Sequence, residues 1–390
     1  MNQFFDPQKE MTTPSPSIGV DGEQSIHNNM DIVPQAEEKS NIKTAKSMVE
    51  NIVKMAEANP YPREEEYHIP LLSATMPELY EMIFPPQLAI VDHFLYPGTY
   101  ILAGSPKVGK SFFVAQLAYH VSCGLPFFQR KVNQGEVLYF GLEDNYQRLQ
   151  RRLFSMYGTE CSEKLHLSVD CMHMETGLFD QMTGFLKRFP KTKLIIIDTF
   201  QKVIQNCQEV VSYGRDYQTM GYFKDFADKH QLSLLLVHHT RKQKSEDSFE
   251  MISGTTGIFG SVDGSLLLRK KARSSNEAFL EITGRDVPDQ KFFVQRSETG
   301  IWQYIKEESP FVEPPLDPIV HLMGKFIHEN NANWQGTPTE LVKCLNLEMI
   351  PQKLTYSLNV NLGVLLEKMK IHYSNQKKGN IRMITLTYIG

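Results

Sequence analysis

The sequence predicts an α/β fold: a parallel central sheet flanked by helices, with a small C-terminal domain and a disordered N-terminal tail. Three observations carry this. From Leu71 to Val237, apolar runs such as Leu194–Ile197 and Leu232–Val237 alternate with helical patterns, as in strands covered on both faces. A glycine-rich loop, Gly104–Ser111, joins one such run to a helix. Pro310, Pro314, Pro315 and Pro318 then mark off a C-terminal segment of different texture. The 390 residues suit two or three domains at roughly 100–200 residues each.

In chain order, residues 1–66 are poor in apolar side chains and rich in Ser, Asn, Gln, Pro and acids, the composition of a disordered tail, and Ile42–Ala58 adds only weak helical spacing. The first domain spans 71–307. Within it Tyr100–Ala103, Glu136–Gly141, Leu165–Val169, Lys193–Asp198 and Ser233–Val237 read as strands. Ser111–Cys123, Asn145–Tyr157, Thr176–Arg188 and Asp216–His230 read as the helices between them, and Arg148, Arg151 and Arg152 lie on the wet side of the second. Gly264–Arg269, Phe279–Thr283, Phe292–Arg296 and Ile301–Ile305 alternate like hairpins extending the sheet. Residues 308–318 form the linker. In 319–390, helices are expected at Ile319–Asn330, after an N-cap Thr337 with Pro338 at the first position, and at Leu358–Met369. Strands Ile371–Ser374 and Met383–Tyr388 follow, joined by residues 375–380. Three helices and a basic-tipped hairpin is the order of a winged-helix domain.

Composition excludes several classes. With 41% hydrophobic and 11% aromatic residues the chain buries a core, and a net charge of −4 rules out coating nucleic acid by bulk positive charge. Cys123, Cys161, Cys171, Cys207 and Cys344 make no C-x-x-C pair, so neither a disulfide framework nor a structural zinc site is expected. The start lacks the features of a signal peptide, and no apolar run approaches the roughly 18–20 residues of a membrane span. A soluble cytoplasmic protein with no membrane partner is expected.

Gly104-Ser105-Pro106-Lys107-Val108-Gly109-Lys110-Ser111 satisfies G-x-x-x-x-G-K-S between a predicted strand and a predicted helix. The glycines let successive backbone N–H groups face one anion, and the positive helix end adds field. Lys110 is expected on the β- and γ-phosphates of ATP, and the Ser111 hydroxyl on Mg²⁺. Asp198, closing the strand Leu194–Asp198, suits an acid that meets Mg²⁺ through water. Glu143 and Asp144 end the strand that follows the phosphate-loop helix, at the edge where parallel sheets bind ligands. Glu143 is the expected water-activating base, and Asp144 a candidate helix cap.

The runs Tyr100–Gln116, Val137–Leu153 and Val237–Lys242, with the lead-in Phe84–Ser111, resemble RecA-like ATPases related to the hexameric plasmid helicase RepA. The resemblance covers about Leu71–Ile305. It implies a RecA core working as a homo-oligomer, a hexameric ring, with each ATP between two subunits. Glu143 then matches the catalytic glutamate, Asp198 the Walker B acid, and His238 a polar residue that senses the γ-phosphate. From the residues alone, the His238-His239 pair after a buried strand could equally be a metal half-site, for which no third ligand spacing is visible, or packed histidines. Arg285, in Leu280–Asp286, looks like the strand-end arginine that reaches a neighbour's ATP, and Arg269 is a second candidate; a surface salt bridge is the plainer reading of each. The polar, glycine-rich stretch 245–260 corresponds to a channel loop touching DNA, and Arg241, Lys242 and Lys244 at its root would meet the backbone of single-stranded DNA. The C-terminal part resembles small winged helices of phage, plasmid and integrative-element relatives, where Lys377, Lys378 and Arg382 on the wing would contact phosphates or a protein.

The expected activity is a Mg²⁺-dependent ATPase on DNA, a replicative helicase or translocase of a mobile element working with replication proteins. An ATP-switched helicase loader or recombinase-like adaptor, and a winged-helix DNA-binding regulator, are the alternatives.

Overall fold

The computed structural model describes residue 71 and residues 73–204, 213–240, 260–272, 274–308, 315–330, 332–379 and 381–390. The predicted tail, the Arg241, Lys242 and Lys244 site, the loop 245–259 and residues 309–314 of the linker lie outside them.

Strands β1 (Gly98–Gly104), β2 (Glu136–Gly141), β3 (Leu165–Ser168), β4 (Thr192–Asp198), β5 (Ser233–His239), β6 (Gly264–Lys270), β7 (Glu277–Gly284), β8 (Gln290–Arg296) and β9 (Trp302–Glu307) form one sheet in the order β3-β2-β4-β5-β1-β6-β7-β8-β9. The strands from β3 to β6 in that order run parallel. β7, β8 and β9 complete the sheet as antiparallel hairpins. The sequence marks β6 only as a hairpin arm; it also pairs in parallel with β1, so the parallel sheet is one strand wider than the sequence implies.

Helices α1 (Met76–Glu81), α2 (Lys110–Cys123), α3 (Tyr146–Tyr157), α4 (Leu178–Arg188) and α5 (Tyr213–His230) lie in this part of the chain. Strand alternation sorts the core into two layers. Tyr100, Leu102, Tyr139, Ile196 and Val237 pack with Val114, Leu117 and Val121 of α2 and Leu149 and Met156 of α3. Ile101, Ala103, Phe140, Ile197 and Leu236 pack with Leu178 and Met182 of α4 and Met220, Phe223 and Ala227 of α5. Both sheet faces are dry, which is why these strands read as unbroken apolar runs.

β9 closes the α2 side. Trp302 is 1% exposed, and its backbone exchanges two hydrogen bonds with the Gln116 amide, at 2.9 and 2.8 Å. Its indole Nε1 donates to the Gly109 carbonyl at 3.2 Å.

The C-terminal part contains α6 (Pro318–Glu329), β10 (Asn333–Gly336), α7 (Pro338–Cys344), α8 (Pro351–Val360), α9 (Leu362–Glu367), β11 (Ile371–Lys378) and β12 (Ile381–Tyr388). Its sheet runs β10-β12-β11, all antiparallel, over a core that includes Val320, Ile327, Leu341, Leu358, Ile384 and Leu386. Thr337 caps α7 in a capping box with Glu340, with Pro338 in the first turn, as expected. The single helix expected at Leu358–Met369 is instead two, starting at Pro351 and parting at Asn361, whose side chain turns back to the Ser357 carbonyl at 2.9 Å. The expected loop 375–380 is mostly strand: Lys377 pairs with Arg382 and Lys378 with Ile381, leaving a turn at Gly379.

α1 is not among the expected helices, although Thr75-Met76-Pro77-Glu78 carries the same kind of cap signature as Thr337–Glu340. It is capped by Thr75 with Glu78 and packs on α8: Asn359 Nδ2 donates to the Tyr80 carbonyl at 2.9 Å, and the Tyr80 and Tyr356 rings lie 5.4 Å apart. Asn359 is itself buried, its Oδ1 accepting from the Tyr373 hydroxyl at 2.7 Å.

Trp302→Ala removes a fully buried aromatic and the Gly109 bond together. It is expected to lower stability by about 3–5 kcal/mol, the range for large-to-small aromatic truncation, as read by urea denaturation.

Candidate functional site

The carboxyl ends of β1, β2, β4 and β5 share one edge, the register joining Gly104 to His239, Asp198 to Val237, and Gly141 to Asp198. The glycine-rich loop turns there from β1 into α2. Its two glycines are required by contact. A Cβ on Gly104 would sit 2.6 Å from the Leu268 carbonyl oxygen. One on Gly109, at φ 115°, would sit 2.8 Å from the Trp302 ring. Val108 is buried and anchors the loop, while Ser105, Pro106 and Lys107 face solvent.

Lys110 begins α2 and is only 5% exposed. Its ammonium donates to the Gly104 carbonyl at 2.8 Å and to the Ser105 carbonyl at 3.3 Å, and lies 3.0 Å from His239 Nδ1. Burial disfavours its charge and brings the pKa down to about 8, against the opposing pull of Asp198 and Glu143. Ser111, the next residue, hydrogen-bonds the Asp198 carboxylate. Asp198 is 4% exposed and also accepts from the Tyr139 hydroxyl at 3.1 Å. Desolvation nevertheless holds its pKa above the usual carboxylate range.

Glu143 stands just beyond β2 with its side chain half exposed. Its Oε1 accepts from Thr199 Oγ1 at 3.3 Å and lies 3.8 Å from His239 Nε2. Asp144 is engaged elsewhere, by Arg152 at 2.5 Å and Arg148 at 3.3 Å, and it is Asn145 that caps α3.

Lys110, Ser111, Asp198 and Glu143 thus come together as the sequence suggests. His238 does not join them. It follows Leu236 in strand phase and lies in the α5 layer, its ring 6.1 Å from that of Phe200. His239 follows Val237 in phase and reaches the Lys110 side. The alternation of β5 carries this signal, and it points to His239 rather than His238. Burial and the Lys110 charge keep the His239 pKa below its ordinary value.

Arg285 lies at the opposite edge. β7 runs antiparallel, so Gly284 pairs with Gly264, beside Tyr100 near the start of β1. Arg269 is held in place by Glu281, at 2.7 and 2.8 Å. In the C-terminal part Lys377 is exposed, and Arg382 meets Glu81 of α1 at 3.3 Å.

The donors present suit a hard cation: a hydroxyl and a buried carboxylate in mutual contact, the carboxylate short of compensating charge. Ser111 and Asp198 are the residues that would hold Mg²⁺.

A family model described as an AAA domain matches residues 70–245. No curated protein matches. Among solved structures, one described as an ATPase domain is 14% identical, with a TM-score of 0.45 over 54% of this chain and 85% of that one. A DnaB-like replicative helicase, described with its interactions with primase, is 13% identical with a TM-score of 0.45. That match covers 54% of this chain and 58% of the other, so this chain spans little more than half of it.

The Lys110 pKa gives a sign. The ammonium is charged below about 8, and contact with phosphate raises its pKa, so nucleoside triphosphate binding takes up a proton above that pH. Affinity for the magnesium nucleotide is expected to fall above about pH 8 with a slope approaching tenfold per unit, and to be flat there for Lys110→Met, by equilibrium titration.

Proposed function

We propose, from the premise that this chain is a RecA-like P-loop ATPase, that it hydrolyses ATP with Mg²⁺ on single-stranded DNA as a ring-forming helicase or translocase. The context is replication of a plasmid, phage or integrative element, alongside replication proteins, in the cytoplasm. Among the described residues no helix is long and apolar enough to cross a membrane. The supporting observation is the division of labour between two sheet edges. Lys110, Ser111, Asp198 and Glu143 converge at one, and Arg285 stands at the other.

In this reading Gly104–Ser111 cradles the phosphates with backbone N–H groups, and Lys110 exchanges its contacts with Gly104 and Ser105 for phosphate oxygens. The metal, when bound, neutralises charge developing on those oxygens. Glu143, steadied by the Thr199 hydroxyl, orients and deprotonates the attacking water. If protonated Lys110 donates to Nδ1 of a neutral His239, the proton of that ring sits on Nε2, toward Glu143. His239 therefore takes the γ-phosphate-sensing role that the resemblance implies for His238. Arg285 is a strand length, about 20 Å, from its own phosphate loop, so it serves a neighbouring subunit.

The C-terminal part, 319–390, is read as a winged helix. Its element order supports this: helix, strand, helix, a broken third helix and a hairpin. Its third helix, α8, is packed against α1, and Arg382 is occupied by Glu81. Both observations weigh against a regulator whose main activity is duplex reading by that helix, and for the ATPase as the seat of action. Lys377 remains the wing's candidate for phosphate contact; the side chain of Lys378 lies outside what the structure describes.

ATP turnover of the wild type is expected to rise with single-stranded DNA and to fall on dilution to single chains. Glu143→Gln should lower it by about 100-fold or more while nucleotide stays bound, the loss expected for a general base. Turnover stimulated only by a partner protein, with no strand displacement, would instead identify an ATP-switched loader.

A further inference from the structure

The edge that carries Arg285 is organised around one buried carboxylate. Asp263, just before β6, has a side chain only 8% exposed. Its Oδ2 accepts from the Thr99 N–H of β1 at 3.0 Å. Its Oδ1 is taken by the Lys224 ammonium of α5, in a short contact. Arg285 is tied to the same residue by its backbone, its N–H donating to the Asp263 carbonyl at 2.8 Å. Its guanidinium Nη1, however, stays 3.6 Å from Oδ1, and the side chain is 58% exposed. Both oxygens of Asp263 therefore have a close donor, and neither is Arg285.

A guanidinium carries N–H groups in a planar fork that pairs bidentately with an open carboxylate at hydrogen-bond distance. Arg269, one strand over, closes onto its acid in this sheet, its Nη2 lying 2.8 and 2.7 Å from the two oxygens of Glu281. Arg285 stays within ion-pair range of Oδ1 but beyond hydrogen-bond distance, while the Lys224 ammonium holds that oxygen closely. Lys224 is itself 28% exposed, with Asp228 as its second, more distant partner at 3.8 Å.

Resting on the trans-acting role of Arg285 proposed above, we infer that Lys224 is a positioning residue that occupies Asp263 and so keeps the Arg285 guanidinium available to a neighbouring subunit's ATP. Without Lys224 the arginine closes onto Asp263 and is lost to the neighbour. Removing the carboxylate as well takes away what captures it. Asn at 263 retains an oxygen for the Thr99 N–H, so the β1 contact survives.

The test measures steady-state ATP turnover of full-length chains at assembling concentration. Arg285→Ala is expected to lose at least about 100-fold, the scale of an arginine finger. Lys224→Ala is expected to lose about tenfold or more in kcat with KM little changed, and Lys224→Ala/Asp263→Asn to return within about threefold of wild type. Lys224→Ala chains mixed with Lys110→Ala chains should regain turnover, since each supplies the part the other lacks. A wild-type rate in Lys224→Ala overturns the inference. So does a double variant as slow as the single, which would make Lys224 a phosphate contact or a structural residue. Lys224→Ala chains that neither bind a fluorescent ATP analogue nor respond to mixing also overturn it, in favour of a purely structural role. If Arg285→Ala itself turns over normally, it is the trans-acting reading of Arg285 that fails.

Discussion

A lysine ammonium almost out of reach of solvent, at the junction of β1 and α2, is the constraint around which the site is built. Burying that charge is costly, and the structure meets the cost with carbonyl acceptors fixed by the backbone and with nearby carboxylates. The Gly104 and Ser105 carbonyls take two N–H bonds of Lys110, His239 lies at its third, and Asp198 and Glu143 supply opposing charge from a distance. The arrangement holds a cation ready while offering it no full carboxylate partner. A polyphosphate is the kind of anion that can better these contacts, because it brings several charged oxygens to the same place.

Which side chains reach this cation is decided by strand alternation. On β5 the layers separate His238 from His239, and on β4 the same rule sends Asp198 toward Ser111 and Ile197 toward α5. The phosphate loop, its helix, the β2 and β4 acids and nearly all strands of the large sheet were legible in the sequence. Each is written in a local pattern of period or motif. The phase of Val237 likewise marks His239 as the histidine on the Lys110 side of the sheet. Trp302 beneath Gly109 was not legible, since nothing local says that a late hairpin strand folds back under the loop. For α1, a short helix with no buried residue, only the cap of Thr75 with Glu78 is local; its place is set by Asn359 and Tyr356, far along the chain. In the C-terminal part, Pro351 was a readable helix start that the apolar pattern after Leu358 obscured.

Strand β1 joins the two edges physically. Its last residue, Gly104, gives its carbonyl to Lys110, and near its start the Thr99 N–H is held by Asp263. The strand is flanked by β5 and β6 and is buried along its whole length, so it has little freedom to bend between these points. One stiff strand therefore carries, at its two ends, the carbonyl that holds Lys110 and the N–H that engages Asp263, so the two sheet edges are set by a single element.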